Sequence, residues 1–341
     1  MINGHGDDIF RYGDKVKVNF STNICQDIDH TSLMRHLMLF PGLLSNYPEP
    51  EPLSVERLLA AEHGINEENI LVTNGATEAI YLIARKMQGK RSTVIVPTFR
   101  EYQDACAMYG HNINFLTEEN FIGIGIIEDD NDAVWLCNPN NPTGRIYDRS
   151  LLLRLADSMP HTLFIIDQAY ADYSVADLLT VDDVMLRRNI VLLYSLTKRF
   201  SVPGLRIGYA VAPLEVTLAL RSMRMPWGIN SFATEASHYL LAHKSDYKID
   251  SYLLNQEVRR IGEALKVFGI SSGPTDCNFL LCELPYGSSA SLKEWLVNNR
   301  GLLIRDASNF ESLGKCHFRI AAQSPERNDL LIRSIEEWIM L

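Results

Sequence analysis

"SLTKRFSVPGLRIGYA", Ser195–Ala210, follows the apolar run "NIVLLY" and places a lysine directly after a threonine and eight residues (206 − 198) ahead of an arginine, with a Pro-Gly pair between them. The run reads as a buried strand, so Lys198 stands just past a strand end. A lysine there is either a solvated loop residue or a chemical one, and the rest of the chain decides which. Four other short apolar runs have the same form. "NILVT" is followed by Asn74-Gly75, "STVIV" by Pro97-Thr98-Phe99, "DAVWLC" by Asn138 through Gly144, and "TLFII" by Asp167 and Tyr170. Helical patterns such as "LSVERLLAAEHG" and "SLLLRLADSM" lie between them. Near-continuously apolar strands alternating with helices predict an α/β fold with a mostly parallel sheet covered by helices on both faces. Ligands of such sheets sit outside the carboxyl ends of the strands, where these polar residues fall.

Beyond about Leu240 the pattern changes to a long helix, "YLLNQEVRRIGEALKVFG", two strands, "CNFLLCEL" and "HFRIAAQ", and a closing helix, "RNDLLIRSIEEWIML". This α+β pattern predicts a second, smaller domain. The expected division is a large domain over residues 36–240 and a small domain from 1–35 and 241–341. "GIGII" at Gly123–Ile127 hints at a dinucleotide fingerprint, but it lacks the third glycine and a convincing first strand.

The net charge of −10 argues against a nucleic-acid binder, which carries a basic face. It does not argue against small anions, for which a few local cations suffice. The six cysteines form no C-x-x-C pair, and no His/Cys cluster has zinc spacing. No signal-peptide pattern opens the chain, and no stretch approaches the ~18 apolar residues of a membrane span. The expectation is a cytoplasmic protein without metal, nucleic acid or membrane partner.

The strand-end residues make a chemical set. Lys198 is a candidate imine-forming amine, and Asp167 a carboxylate nearby. Asn141 and Tyr170 are neutral donors. Gly75-Ala76-Thr77 opens a helix whose free N–H groups and dipole suit an anion. Ser195, Thr197 and Arg206 are further candidate phosphate ligands, and Phe99 or Tyr102 could lie over a ring. An imine-forming ring with a carboxylate at its nitrogen, a phosphate arm and a stacked aromatic describes pyridoxal 5'-phosphate. The carboxylate keeps the ring nitrogen protonated. Opposite charges ~4 Å apart attract by about 4 kcal/mol at an effective dielectric of ~20, about three pKa units.

"SLTKRFSVPGLRIGY", "NPNNPTG", "IIDQAY" and "NGATEAI" together resemble the fold-type I aminotransferases, in family order over nearly the whole chain. The resemblance implies a large domain with a mostly parallel seven-stranded sheet between helices and a smaller α+β domain, and that Lys198 carries the cofactor and Asp167 faces its ring nitrogen. It implies that Asn141 and Tyr170 hold the ring hydroxyl and Phe99 stacks on the ring, while Ser195, Arg206, Ala76 and Thr77 hold the phosphate, with Thr197 a further candidate. Tyr47 in "NYPEPEP" matches a tyrosine that reaches the phosphate of the neighbouring subunit, which implies a homodimer.

Two subfamilies compete, the histidinol-phosphate aminotransferases and the threonine-phosphate decarboxylases of cobalamin synthesis. "HGDD", with Asp7 in place of a second glycine, "NFSTNI", "RMPWGIN" and the run from Ile304 to Ile332 are similar to the decarboxylases. This resemblance implies a phosphorylated amino-acid substrate. It assigns Arg319 to the substrate carboxylate and makes Arg305, Asn23, Asn141 and His5 candidates for the substrate and its phosphate. Both subfamilies use the same lysine and ring, so residue identity leaves the reaction type open. A third class, the aminotransferase-like half of a transcription regulator, needs a basic DNA-binding domain for which the chain has no room.

Overall fold

The computed structural model describes residues 6–124 and 131–341. Its strands in chain order are β1 (Val18–Asn19), β2 (Ile70–Thr73), β3 (Arg91–Val96), β4 (Asn112–Thr117), β5 (Ala133–Cys137), β6 (Leu163–Asp167), β7 (Ile190–Tyr194), β8 (Gly208–Val211), β9 (Ser271–Ser272), β10 (Phe279–Glu283), β11 (Leu302–Leu303), β12 (Arg305–Asp306) and β13 (His317–Ala321). Seven of them form one sheet in the order β2-β8-β7-β6-β5-β3-β4. The pairs from β7 through β4 are parallel, and β8 runs antiparallel between β7 and β2. The expected seven-stranded, mostly parallel sheet is the one found.

The five strands read from the sequence are β2, β3, β5, β6 and β7. The other two give no run long enough to read as a strand. β4, "NINFLT", is an edge strand with half-exposed residues, and β8 is four residues long and opens on a glycine.

Strand alternation builds two cores, one on each face. Val134, Leu136, Phe164, Ile166, Ile190 and Leu192 enter one. Their neighbours Trp135, Cys137, Ile165, Val191 and Leu193 enter the other. Both faces are covered, which is why these strands read as unbroken apolar runs. The helix Leu53–His63 ends at Gly64 in the left-handed conformation, as its sequence predicts. Gly123 lies in the helix Glu118–Ile124 rather than in a strand-to-helix turn, and residues 125–127 of "GIGII" lie outside the described residues.

A four-stranded antiparallel sheet, β12-β13-β10-β9, packs against the helices Ser251–Lys266, Ser289–Arg300 and Pro325–Ile339 around a third core. The N-terminal segment is drawn into it. β1 pairs in parallel with β11, and Phe20, fully buried, joins the third core. Further along, Leu33 and Leu37 of the helix Thr31–Met38 join the first core instead. Among the described residues no helix is long and apolar enough to cross a membrane.

Candidate active site

The Pro-Gly turn between Lys198 and Arg206 reverses the chain from β7 into antiparallel β8. Ser195 N-caps the short helix Leu196–Arg199, the turn Pro203–Leu205 follows, and Arg206 takes the left-handed conformation (φ 55°) before β8 begins. Thr197 pins the two arms: its N–H and hydroxyl both donate to the Ile207 carbonyl, at 3.1 and 3.2 Å. From below, the Tyr173 hydroxyl donates to the Lys198 carbonyl at 2.9 Å.

Lys198 lines a cleft of about 270 Å³ at the carboxyl ends of the parallel strands, with Ala76, Thr77, Phe99, Asn141, Asp167, Tyr170, Ser195, Thr197 and Arg206. Asn23, Arg305 and Arg319 line the same cleft. Gly75 stands beside it. Its φ of +71° favours glycine, and a Cβ there would lie 2.6 Å from Arg206 Nη2, so the missing side chain lets the guanidinium rest on the helix N-terminus. His5 lies outside the described residues. Tyr47 is away from the cleft and 90% exposed, in a groove beside Leu39, Phe40 and Glu235.

Asp167 is buried at the end of β6. Its carboxylate accepts from the Tyr102 hydroxyl at 2.7 Å and the Ala169 N–H at 2.9 Å. Burial pushes its pKa above the usual range, against the lowering effect of Tyr102, Ala169 and Lys198. The Tyr102–Asp167 bond is not legible in spacing. Tyr102 sits in the helix Glu101–Met108, and its ring stands edge-on to Phe99 at 5.7 Å.

Lys198 is half-buried in the wall of the cleft. Burial first, then the charge of Arg319, lowers its pKa to about 8. An imine-forming lysine needs its amine neutral, and this environment makes that form accessible near neutral pH. Its Nζ lies 5.7 Å from the centre of the Tyr170 ring. The Tyr170 hydroxyl accepts from Asn23 Nδ2 at 3.3 Å.

The "NPNNPTG" loop is held by Asn140. Its amide donates to the Pro97 carbonyl and to buried Glu118, each at 2.8 Å, and its oxygen accepts from Thr98 at 2.9 Å. Asn141 is thereby free to face the cleft, where its Oδ1 accepts from Arg319 Nη1. Arg319 Nη2 donates to the Ser21 carbonyl at 2.7 Å. Arg319 lies directly across from Arg305 in the β12–β13 register. Arg305 donates to Asn309 Oδ1 at 2.8 Å. Burial lowers each guanidinium to about 10; for Arg305 the charge of Arg319 adds to it. Two buried guanidiniums side by side repel unless an anion lies between or beside them.

The sequence profile of the aminotransferase class I and II family matches residues 15–335. The chain belongs to that family. It is an enzyme of the pyridoxal-phosphate-dependent kind. The solved L-threonine-O-3-phosphate decarboxylase from Porphyromonas gingivalis is 35% identical and superposes with a TM-score of 0.92, covering 95% of this chain and 100% of that one. The threonine-phosphate decarboxylase of Salmonella typhimurium is 29% identical over 331 residues, 93% of this chain and 90% of the relative. A histidinol-phosphate aminotransferase of Desulfitobacterium hafniense is 28% identical over 308 residues, 86% and 84% of the two chains.

The residues present fit the cofactor on their own terms. A buried carboxylate above its ordinary pKa suits a cationic ring nitrogen. The space over Gly75, the helix N-terminus and Arg206 make an anion cradle. Asn23 Oδ1 and Arg319 Nε are buried and lack a hydrogen-bond partner among the described residues, so the cleft still holds polar groups for a ligand. Residues missed by sequence reasoning also line it, among them Asp7, Ser21, Arg100 and Asn309. They come from loops without a motif, and only the Asp7 departure from His-Gly-Gly was visible.

Proposed function

We propose that the protein decarboxylates L-threonine O-3-phosphate to (R)-1-amino-2-propanol O-2-phosphate, a step of cobalamin biosynthesis. The observation that carries this reading is the buried Arg305–Arg319 pair, opposed in one strand register and lining the same cleft as Lys198. A substrate with a carboxylate and a phosphate supplies the two anions such a pair calls for. The two threonine-phosphate decarboxylases named above support it.

Bound pyridoxal phosphate supplies an electron sink for the pair left at the substrate Cα when a bond to that carbon breaks. The protein does the rest. Asp167 holds positive charge at the ring nitrogen. Asn141 and Tyr170 hold the ring hydroxyl, Phe99 covers the ring, and Ala76, Thr77, Ser195 and Arg206 hold the phosphate, with Gly75 leaving room for Arg206. Thr197 fixes the Lys198 turn. Arg319, oriented by Asn141 and Ser21, orients the substrate carboxylate, while Arg305 and Asn23 anchor the substrate end. The carboxylate leaves as carbon dioxide, and Lys198 Nζ hands a proton to Cα in its place.

The test is turnover with L-threonine O-3-phosphate as sole substrate. Many turnovers with one carbon dioxide each support the reading. A stall after one turnover, relieved only by histidinol phosphate with 2-oxoglutarate, would give the protein to the aminotransferases.

The working protein is a homodimer in this reading. Met34, Met38, Leu39, Leu44 and Tyr47 are all more than half exposed on one stretch of chain, and a patch of this kind calls for a cover. Mixing inactive Lys198→Ala and Tyr47→Phe chains should restore activity, because one site of each hybrid is complete. Hybrids that form and stay inactive refute a role for Tyr47 in the partner's site. The unpaired cysteines among the described residues suit a reducing cytoplasm.

A further inference from the structure

Residues 6–17 run beside the helix Ser289–Arg300, on which the side chains of Asp8, Tyr12 and Lys15 are anchored, while the Asp7 carboxylate accepts from Asn19. Asp8 Oδ2 meets Lys293 Nζ at 2.6 Å, and both side chains are about nine-tenths buried. The Tyr12 hydroxyl donates to Glu294, and Lys15 Nζ donates to Asn298 Oδ1 at 3.2 Å. The Lys293 ammonium lies 5.5 Å from the centre of the Tyr12 ring. At the end of the segment, the Lys17 N–H donates to the carbonyl of Gly301, the helix C-cap, at 2.8 Å.

The other end of the segment faces the cleft. A Cβ on Gly6 would lie 3.2 Å from Arg305 Cδ and 3.4 Å from Arg319 Nη2, so this backbone rests on both arginine side chains. The Asp7 N–H donates to Ser21 Oγ at 3.0 Å, and the carbonyl of the same Ser21 orients Arg319. Lys293 itself does not line the cleft.

We propose that Lys293 is a positioning residue for the anion-binding end of the cleft: with Asp8 it latches Gly6–Asp8 against Arg305 and Arg319 and so sets affinity for the substrate's negative groups. The inference rests on the reading of an anionic substrate given above. A buried ion pair is a suitable latch, because removing one partner strands the other charge out of water. Asp8 then keeps only Arg11, 3.8 Å from the same oxygen and mostly exposed, so it moves towards solvent and takes the segment with it.

The test uses the holoenzyme with two probes, inorganic phosphate for binding by calorimetry and L-threonine O-3-phosphate for kinetics. Lys293→Met should weaken phosphate binding and raise KM by about tenfold or more, with kcat at saturation and the cofactor absorbance unchanged. Lys293→Arg should stay near wild type. If Lys293→Met does not fold, Lys293→Gln, whose amide can still donate to Asp8 but leaves its charge uncompensated, carries the same expectation at smaller size. Equal phosphate affinity in wild type and variant overturns the latch, whatever the activity. So does a loss of kcat and cofactor absorbance in step with affinity, which would mark a general structural role. A wild type that binds phosphate more tightly than the variant yet never turns over threonine phosphate would refute the reaction and leave the latch standing.

Discussion

At one end of the cleft, Asp167, Lys198, Arg206 and the first turn of the Gly75 helix are all delivered by strand ends of one sheet, within residues 75–206. At the other end, Asn23, Arg305 and Arg319 come from the two extremities of the chain and meet because β1 pairs with β11 and Ala321 donates to the Phe20 carbonyl at 2.9 Å. The first end is fixed by two flanking cores. The second depends on a thin ribbon, a small sheet and one buried ion pair. Substitutions at the first end should therefore abolish the chemistry, and substitutions at the second should change which substrates bind and how tightly.

The sharpest test is Asp167→Asn. The side chain keeps its shape and its bond from Ala169 but loses the charge opposite the ring nitrogen. About 4 kcal/mol of pairing corresponds to roughly 10²–10³-fold, and kcat should fall on that order while the fold persists by circular dichroism. Near-normal turnover would make the carboxylate structural and erase the contrast. Arg319→Lys probes the other end. A lysine cannot reproduce the fork that reaches Asn141 and Ser21 together, so KM should rise about 10–100-fold with a smaller effect on kcat. A kcat-dominated loss would mean that Arg319 acts on the chemistry.

The smallest effect concerns stability. Lys198 has a pKa of about 8 in the fold against 10.5 for an ordinary lysine. Between those values the unfolded chain binds more protons, so the cofactor-free protein gains stability as pH rises across that window. Lys198→Met removes the buried charge. It should stabilise the cofactor-free protein by about 2–3 kcal/mol below pH ~8, a gain that fades towards pH ~10.5. A gain independent of pH in urea titrations would refute the burial argument.

The same contrast explains what the sequence could tell. The strands that end at Asp167, Cys137 and Tyr194 are covered on both faces, so each is an apolar run followed at once by its functional residues. β4 and β8 escaped notice because an edge strand needs no apolar run and a four-residue strand has too little pattern. At the substrate end, Arg305 and Arg319 were nameable only through resemblance, since nothing local says that they share a register. Tyr102 looked equally like a core residue or a ring cover. The bond to Asp167 depends on how a helix packs over β6, and spacing along the chain does not carry that.

The ribbon between β1 and β11 joins Val18 to Leu302, 284 residues apart (302 − 18). At about 5–20 residues per second, a ribosome makes that stretch in roughly 15–60 s. The large sheet has all its strands by residue 211. For the remaining time the newborn chain carries every strand of the large sheet and an N-terminal arm that has no strand to join, its Phe20 still outside any core. Closure of the substrate end is therefore among the last events of manufacture, and a chain cut short before β11 would keep those strands and lose the arm's place.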